Sequence, residues 1–262
     1  MSSKVQGRKI AIIGSSGQVG RPTVEALVAS GIHTITAVQR IEATSTFPPE
    51  VIVKSGDLKD ESFLASTFQG QDAVVLMVPL PHLVSLQESA VRAAAKAGVP
   101  YILPAEFGPD PLASKLIEDN QLLQDKKKIR DLTEELGTGQ ATAAVLSLPE
   151  RDLSRYKNKA FYIPSFHLSQ KELLLAVQKA TGTTDQDWDI DYQDVIDGLK
   201  DCNDKIQQKD ATAPFEKFFI THFREGSGGD FESKVDISEV KKLREVGLQK
   251  EAVDDVLKRI VS

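Results

Sequence analysis

Between a short β-branched run and an apolar helical pattern the chain reads Gly14-Ser15-Ser16-Gly17-Gln18-Val19-Gly20, three glycines in the spacing G-x-x-G-x-x-G. Glycines so placed allow a tight turn, let a pyrophosphate approach the main-chain amides, and let the next helix pack close to a sheet. The start of that helix offers unpaired N–H groups and a positive dipole end to the same anion. The turn is therefore expected to cradle a dinucleotide, with Ser16, Gln18 and Val19 counted beside Gly14, Gly17 and Gly20 as cofactor contacts. Pro22 fits the first helical turn, where its missing donor costs nothing. Alone the pattern is weak; its strength comes from the strand before it, the helix after it and the βα units that follow.

Choice of cofactor turns on the end of the second strand, "VQR". An acidic residue there would bind a ribose 2′-hydroxyl, whereas a basic one accommodates a 2′-phosphate; Arg40, about twenty residues past Gly20, favours NADP(H). A solvated surface arginine is the competing reading, and Glu42 lies nearby. Asp57 in "GDL" either contacts an adenine amino group or serves as a turn residue. Val78 and Pro79, after the fourth strand, complete the expected cofactor contacts. His82 stands near enough in sequence to face a nicotinamide or substrate, but a loop or capping role suits it better. Asp185, Asp187, Asp189 and Asp191 alternate with Trp188 and Ile190, which reads as a solvated edge, and no His/Cys set supports a metal.

These residues need a scaffold. "KIAII", "HTITAVQR", "VIVKSGDL", "DAVVLMVP" and "VPYILPAEFG" read as five strands. The helices between them are closed by Gly31, Gly70 and Gly98, and Asp60 caps the helix "ESFLASTFQ". Strands joined by helical crossovers imply an α/β fold with a Rossmann-type doubly wound parallel sheet. Leu112, Leu116, Leu122, Ile129, Leu132 and Leu136 then mark helix, with interruptions, as far as Gly137. A sixth strand should follow. Instead Gly137-Thr138-Gly139 leads into another helix, "QATAAVLSL", which Thr138 could cap. Beyond Pro149 the texture changes: "KAFYIPS" could be a strand, Ser169 begins the helix "LSQKELLLAVQKATG", "DYQDVIDGLKDCNDKIQQ" looks helical, and "SEVKKLREVGLQKEAVDDVLKRIVS" makes two closing helices. The expected domains are residues 1–150, a nucleotide-binding domain cut short near 137–139, and residues 151–262, a smaller, mostly helical substrate lobe at the C-terminal edge of the sheet.

Bulk properties agree. With 262 residues and 40% hydrophobic content the chain can bury a substantial core. Net charge is −6, with both signs interspersed, so no nucleic-acid footprint is present. Cys202 stands alone, excluding an intrachain disulfide; the N-terminus carries no apolar signal region, and no run approaches the roughly 18 apolar residues of a membrane span. A cytoplasmic protein is expected.

The succession "IIGSSGQVG", "SGDLKDESFLASTFQGQDAVV", "AGVPYILPAEFGPDP" and "QDKKKIRDLTEELG" resembles the NmrA-like and isoflavone-reductase-like family, atypical short-chain dehydrogenases, over residues 8–137. The tail from "QATAAVLSLPE" resembles fungal members. The resemblance implies an NADPH-binding Rossmann domain with a small substrate lobe, in a family of both reductases and catalytically silent nucleotide sensors with regulatory protein partners. The usual Tyr/Lys pair four residues apart does not occur: Ala105, Ala160, Phe166 and Ile196 follow Tyr101, Tyr156, Tyr162 and Tyr192 at that distance. In the isoflavone-reductase-like enzymes the catalytic lysine heads a D-K-x-K-x-R-like segment, which places it on Lys126 of Asp125-Lys126-Lys127-Lys128-Ile129-Arg130. A Lys-rich run on an amphipathic helix is otherwise a solvated face.

Family members carry a strand, a substrate-lining loop and further strands where this chain passes almost directly from "LG" to "TGQATAAVL". A splicing or gene-model error, a truncated isoform or pseudogene product, and a genuine variant with a reduced site all account for that. Loss of the strand should expose an apolar sheet edge and lower stability. Three readings follow: an NADPH-dependent reductase of a small carbonyl, enone or aromatic-ether substrate, a non-catalytic NAD(P) sensor with a regulatory protein partner, or a truncated inactive product.

Overall fold

The computed structural model describes residues 5–79, 82–135, 146–157, 159–160, 162–163, 166–246, 248, 250 and 252–261. The chain divides into two compact units, Met1–Phe161 and Tyr162–Ser262.

In the first unit β1 (Lys9–Ile13), α1 (Gly20–Ala29), β2 (Thr34–Gln39), β3 (Ile52–Ser55), α2 (Glu61–Phe68), β4 (Ala73–Leu76), α3 (Leu83–Lys96) and β5 (Tyr101–Leu103) follow one another, and α4 (Ser114–Asp119), α5 (Gln121–Glu135) and α6 (Glu150–Leu153) come after. The strands form one parallel sheet in the order β3-β2-β1-β4-β5. β1 is central: Ile13 lies opposite Val38 on one side and Leu76 on the other. The chain turns from building one half of the sheet to the other between β1 and β4, the place where doubly wound sheets open a crevice for ligands.

Continuous apolar strands suit a sheet covered on both faces. Ala11, Ile13, Val38, Val74, Leu76 and Ile102 face one layer, where Leu64 and Phe68 of α2, Val91 and Ala94 of α3, and Ile129 of α5 join them in a single buried cluster. Ile10, Ile12, Ile35 and Ala37 alternate to the opposite face and are equally buried. α2 shows local sequence deciding a boundary. The Asp60 carboxylate accepts from the amides of Ser62 (2.8 Å) and Phe63 (3.3 Å) at its start. Gly70, just past its end, takes φ 74°, which a side chain would resist.

Among the described residues no strand follows α5, so β5 is the edge of the sheet. The expectation of an exposed apolar edge is nevertheless corrected: Tyr101, Ile102 and Leu103 are 6%, 0% and 3% exposed. α3 packs on β4 and on α5 at one face. The chain returning at 146–153 buries Leu146, Leu148 and Leu153 and places Glu150 to accept the Tyr101 hydroxyl. That contact, with burial, pushes the Tyr101 phenol up to about 12, burial contributing most. The return is pinned to the start of β1: Gln6 N donates to Ser147 O (3.1 Å), Glu150 N to Gln6 Oε1 (3.1 Å), and the buried Arg8 guanidinium to Leu146 O. The expected helix 140–148 and its Thr138 cap lie largely outside the described residues.

His33 belongs to the same clasp. Its Nδ1 accepts from Arg8 N (3.1 Å), which leaves Nε2 to donate to Ser147 Oγ (3.1 Å). Burial first, and then the Arg8 charge, lower its pKa below the ordinary 6.5. The folded protein therefore disfavours the imidazolium. Its stability contribution is complete above pH 6.5 and declines as the pH falls toward the lower folded value. Denaturation midpoints measured between pH 5 and 7.5 should fall on the acid side, and His33→Gln should flatten that fall; an unchanged slope in the variant would remove His33 from this role.

The second unit consists of α7 (Gln170–Thr181), α8 (Val195–Gln207), α9 (Ala213–Phe223), α10 (Ile237–Glu245) and α11 (Val253–Val261), with α8 packed on α9 and α7 on α11. Ser169 starts α7 with a capping box: Glu172 N donates to Ser169 Oγ (3.2 Å) and Ser169 N to Glu172 Oε2 (2.8 Å). The reading of "KAFYIPS" as a strand is corrected, since Lys159, Ala160, Tyr162 and Ile163 lie in none. β-branched and aromatic residues favour a strand only where a neighbouring ladder exists to pair with. No described helix is long and apolar enough to cross a membrane.

Candidate active site

The glycine turn leaves β1 at its carboxyl end and passes into α1 with little slack. Gly14 has φ 82°, and a Cβ there would lie 2.1 Å from Met77 O, the main chain just beyond the end of β4. A Cβ on Gly20 would meet Gly14 O at 2.0 Å, whereas one on Gly17 would come no closer than 3.3 Å, again to Gly14 O. The first and third glycines are thus enforced by backbone approach, and the middle one by little that the protein itself supplies. Gly17 N donates to Gly14 O (3.0 Å) and Arg21 N to Gly17 O (2.9 Å). Ser16, Gln18 and Val19 are exposed, and among the described residues their amides make no hydrogen bond. Free amides, a helix start and a cradle that side chains would fill fit a phosphate group.

Register brings further residues to the same end of the sheet. Gln39 pairs with Ser55, and Gly56 N donates to Gln39 O (3.0 Å), so Arg40 and Asp57 leave neighbouring strands side by side. The Arg40 side chain is 67% exposed and, among the described residues, paired only with the equally exposed Glu42 (3.2 Å), a loose surface pair that a phosphate could displace. The Asp57 carboxylate accepts from Lys59 N (2.9 Å), the turn role allowed by the sequence. Val78 is buried and Pro79 exposed beyond β4; His82 precedes α3 exposed, its ring capping nothing. Among the described residues no group of carboxylates, histidines and cysteine could hold a metal. Asp185 accepts from Gln178 Nε2 (2.9 Å) and Asp187 from Thr184 N (2.8 Å), both local contacts in the second unit.

Lys126 departs from the solvated-face reading of its helix. Lys127 and Lys128 lie outside, paired with Asp131 (2.6 Å) and Asp125 (2.8 Å). Lys126 is 5% exposed and, among the described residues, has neither hydrogen bond nor ion pair. Burial lowers its pKa; Glu106 opposes that shift and Arg130 adds to it. Four residues on, Arg130 reaches the loop leaving β5, bonding Glu106 Oε1 (2.7 Å) and Pro111 O (3.0 Å). That loop is also held from α3: Ala105 N donates to the buried Gln87 Oε1 (2.6 Å), whose Nε2 bonds Leu83 O (3.0 Å). Sequence reading missed Gln87 and Glu106, partners 18 and 24 residues from the atoms they hold. Lys126 was reached through the resemblance to the family's D-K-x-K-x-R-like segment; in the structure it shares the helical stripe of Ile129 and Thr133, both buried.

Solved structures with this architecture include AtPrR2 with NADP+ and (+)pinoresinol, at TM-score 0.72 and 22% identity over 98% of this chain and 99% of that one. The structures of pinoresinol-lariciresinol and phenylcoumaran benzylic ether reductases match at TM-score 0.73 and 19% identity, covering 97% and 99%. Leucoanthocyanidin reductase from Vitis vinifera, as a binary complex with NADPH, matches at TM-score 0.69 and 16% identity over the same shares. In sequence, the oxidoreductase aprR of Aspergillus flavus is 26% identical over 277 residues, 85% of this chain and 90% of that protein. That span exceeds the 262 residues of the whole chain, so the relative carries residues within it that this chain lacks. The match to the NmrA-like family runs over residues 6–150. That span takes in the glycine turn, all five strands and Lys126, and on it the chain belongs to the NmrA-like family.

Proposed function

We propose that the protein is an NADPH-dependent reductase of the isoflavone-reductase-like type, acting on a small carbonyl, enone or aromatic-ether substrate. The observation that carries this reading is Lys126, a buried cation that has no partner among the described residues, in the same unit as the phosphate cradle. A lysine kept only for solubility would sit outside and paired, as Lys127 and Lys128 do. When bound, NADPH supplies hydride. Gly14, Gly17 and Gly20 with the amides of Ser16, Gln18 and Val19 hold its pyrophosphate, Arg40 meets the 2′-phosphate after releasing Glu42, and Asp57, Val78 and Pro79 border the nucleotide. Lys126 Nζ gives its proton to the substrate oxygen as charge develops there, and desolvation eases the transfer by lowering the pKa of the ammonium. The similarity to aprR and the NADP-bound neighbours support the cofactor and the reaction class, and a single cysteine suits a reducing cytoplasm.

The test is NADPH oxidation by the purified chain against a panel of enones, aryl carbonyls and benzylic ethers. Lys126→Ala should lower kcat by about 10²- to 10⁴-fold, the usual contribution of a positioned acid, while the NADPH dissociation constant stays unchanged. Equal binding of oxidised and reduced cofactor with no turnover of any substrate would overturn the reductase reading in favour of a nucleotide sensor.

A further inference from the structure

Arg130 and Lys126 lie one turn apart on α5, and one carboxylate, Glu106, acts on both. Glu106 bonds Arg130 (2.7 Å) with the two side chains only 15% and 11% exposed, while Lys126 is left with no ion-pair partner among the described residues. Two cations competing for one half-buried anion would ordinarily share it. Here the second anchor, Arg130 Nη2 on Pro111 O (3.0 Å), fixes the guanidinium over the loop after β5 and settles the competition for arginine. A guanidinium can bond two acceptors in one plane, which the point charge of an ammonium cannot imitate.

We propose that Arg130 and Glu106 form a positioning pair, in which Arg130, one helical turn from Lys126, occupies the Glu106 carboxylate and so keeps Lys126 Nζ free for the substrate. The inference rests on the reductase reading above, but its central measurement does not need turnover. The charged groups around Lys126 are few. Lys127 with Asp131 and Lys128 with Asp125 pair on the outer side of α5, and Glu88 and Arg92 pair with each other on α3 (2.9 Å). On α4, Lys115 and Glu118 are exposed and Asp119 is half-buried. Among the described residues, Glu106 and Arg130 are the charges that shift the lysine, and they do so in opposite senses.

That opposition gives the test. The full chain is labelled with ¹³Cε-lysine, the Lys126 resonance is assigned by its loss in Lys126→Arg, and its titration is followed by NMR. Glu106→Gln, which keeps the shape and can still hydrogen-bond Arg130, should move the Lys126 titration to lower pH. Arg130→Gln frees the Glu106 carboxylate for Lys126 and should move it to higher pH. Arg130→Lys, whose ammonium cannot hold Glu106 and Pro111 O together, should leave Glu106 shared with Lys126 and place the titration between those of the wild type and Arg130→Gln, so it also serves if Arg130→Gln fails to fold. A merely structural pair would move both variants the same way or neither, and that result would overturn the proposal. In the turnover assay Arg130→Gln should lose on the order of tenfold in kcat at neutral pH, with KM for NADPH retained and the pH profile displaced in the direction of the NMR titration. Absence of turnover in the wild type would sink the reductase reading while the opposed NMR shifts still decided the pairing.

Discussion

Gly14→Ala should cost the first unit about 3 kcal/mol or more and abolish measurable NADPH binding. Two independent penalties combine. At φ 82° an alanine adopts a backbone conformation that L-residues resist by roughly 1–2 kcal/mol. In addition, its Cβ would lie 2.1 Å from Met77 O, and the obstacle is main chain that extends the β1–β4 ladder through Met77 N to Ile13 O (2.9 Å). A flexible side chain could swing away; this carbonyl can retreat only by opening the sheet at the switch point, where the cofactor is proposed to sit. Gly17→Ala is the internal control. Its nearest obstacle stands at 3.3 Å, so stability should change by less than about 1 kcal/mol. Any loss of cofactor affinity there would report the approach of the pyrophosphate itself. Guanidinium denaturation and calorimetric titration with NADPH on both variants distinguish the two causes. If Gly14→Ala melted and bound like the wild type, the turn geometry described here would be wrong.

How far such features show in a sequence depends on the range over which they are decided. Asp60 at the start of α2, Ser169 at the start of α7, and the glycine spacing itself all act within about three residues of their partners, and all were legible; the return bond from Glu172 to Ser169 N was not read. The five strands were legible as well: β1 and β4, in the middle of the sheet, are apolar runs buried on both faces, and the exposed edge strand β3 still begins with the β-branched pair Ile52-Val53. "APFEKFFITHF", which forms α9, carries Phe215, Phe218, Phe219 and Phe223 at helical spacing, yet Phe215, Phe219 and Phe223 are 45%, 58% and 49% exposed, so that stripe is not a buried one. The candidate site divides in the same way. Its cradle is local and was read from spacing, whereas the confinement of Lys126 depends on Glu106 across 24 residues of chain from Arg130 and on a loop anchored by Gln87. Nothing in the run Lys126-Lys127-Lys128 says which lysine faces inward; only the period of its apolar neighbours does.

The largest effect away from the site is expected at Arg8, since the segment 146–153 is tied to the sheet through it. The Arg8 side chain is 2% exposed; it bonds Leu146 O and lies 3.4 Å from Glu150, whose own carboxylate is 61% exposed. Removing the guanidinium would not strand a buried charge, because Glu150 keeps its water. It would leave the carbonyl of the wholly buried Leu146 without its donor, at a cost of about 1–3 kcal/mol, and would open space where the arginine stem packs. Arg8→Met should therefore lower unfolding stability by about 2–3 kcal/mol, whereas Glu150→Gln, which disturbs an ion pair mostly in water, should cost under about 1 kcal/mol. Amide hydrogen exchange gives the spatial test: in Arg8→Met, protection should drop first at Asp152 and Leu153, whose amides both bond Pro149 O, while Met77 and Gly56 at the opposite end of the strands keep theirs. Equal loss at both ends would mean that Arg8 supports the sheet as a whole. Confined loss would show that the return segment is a separately anchored cover, and that the clasp around Arg8 keeps the short strand β5 buried, with no further strand beside it among the described residues.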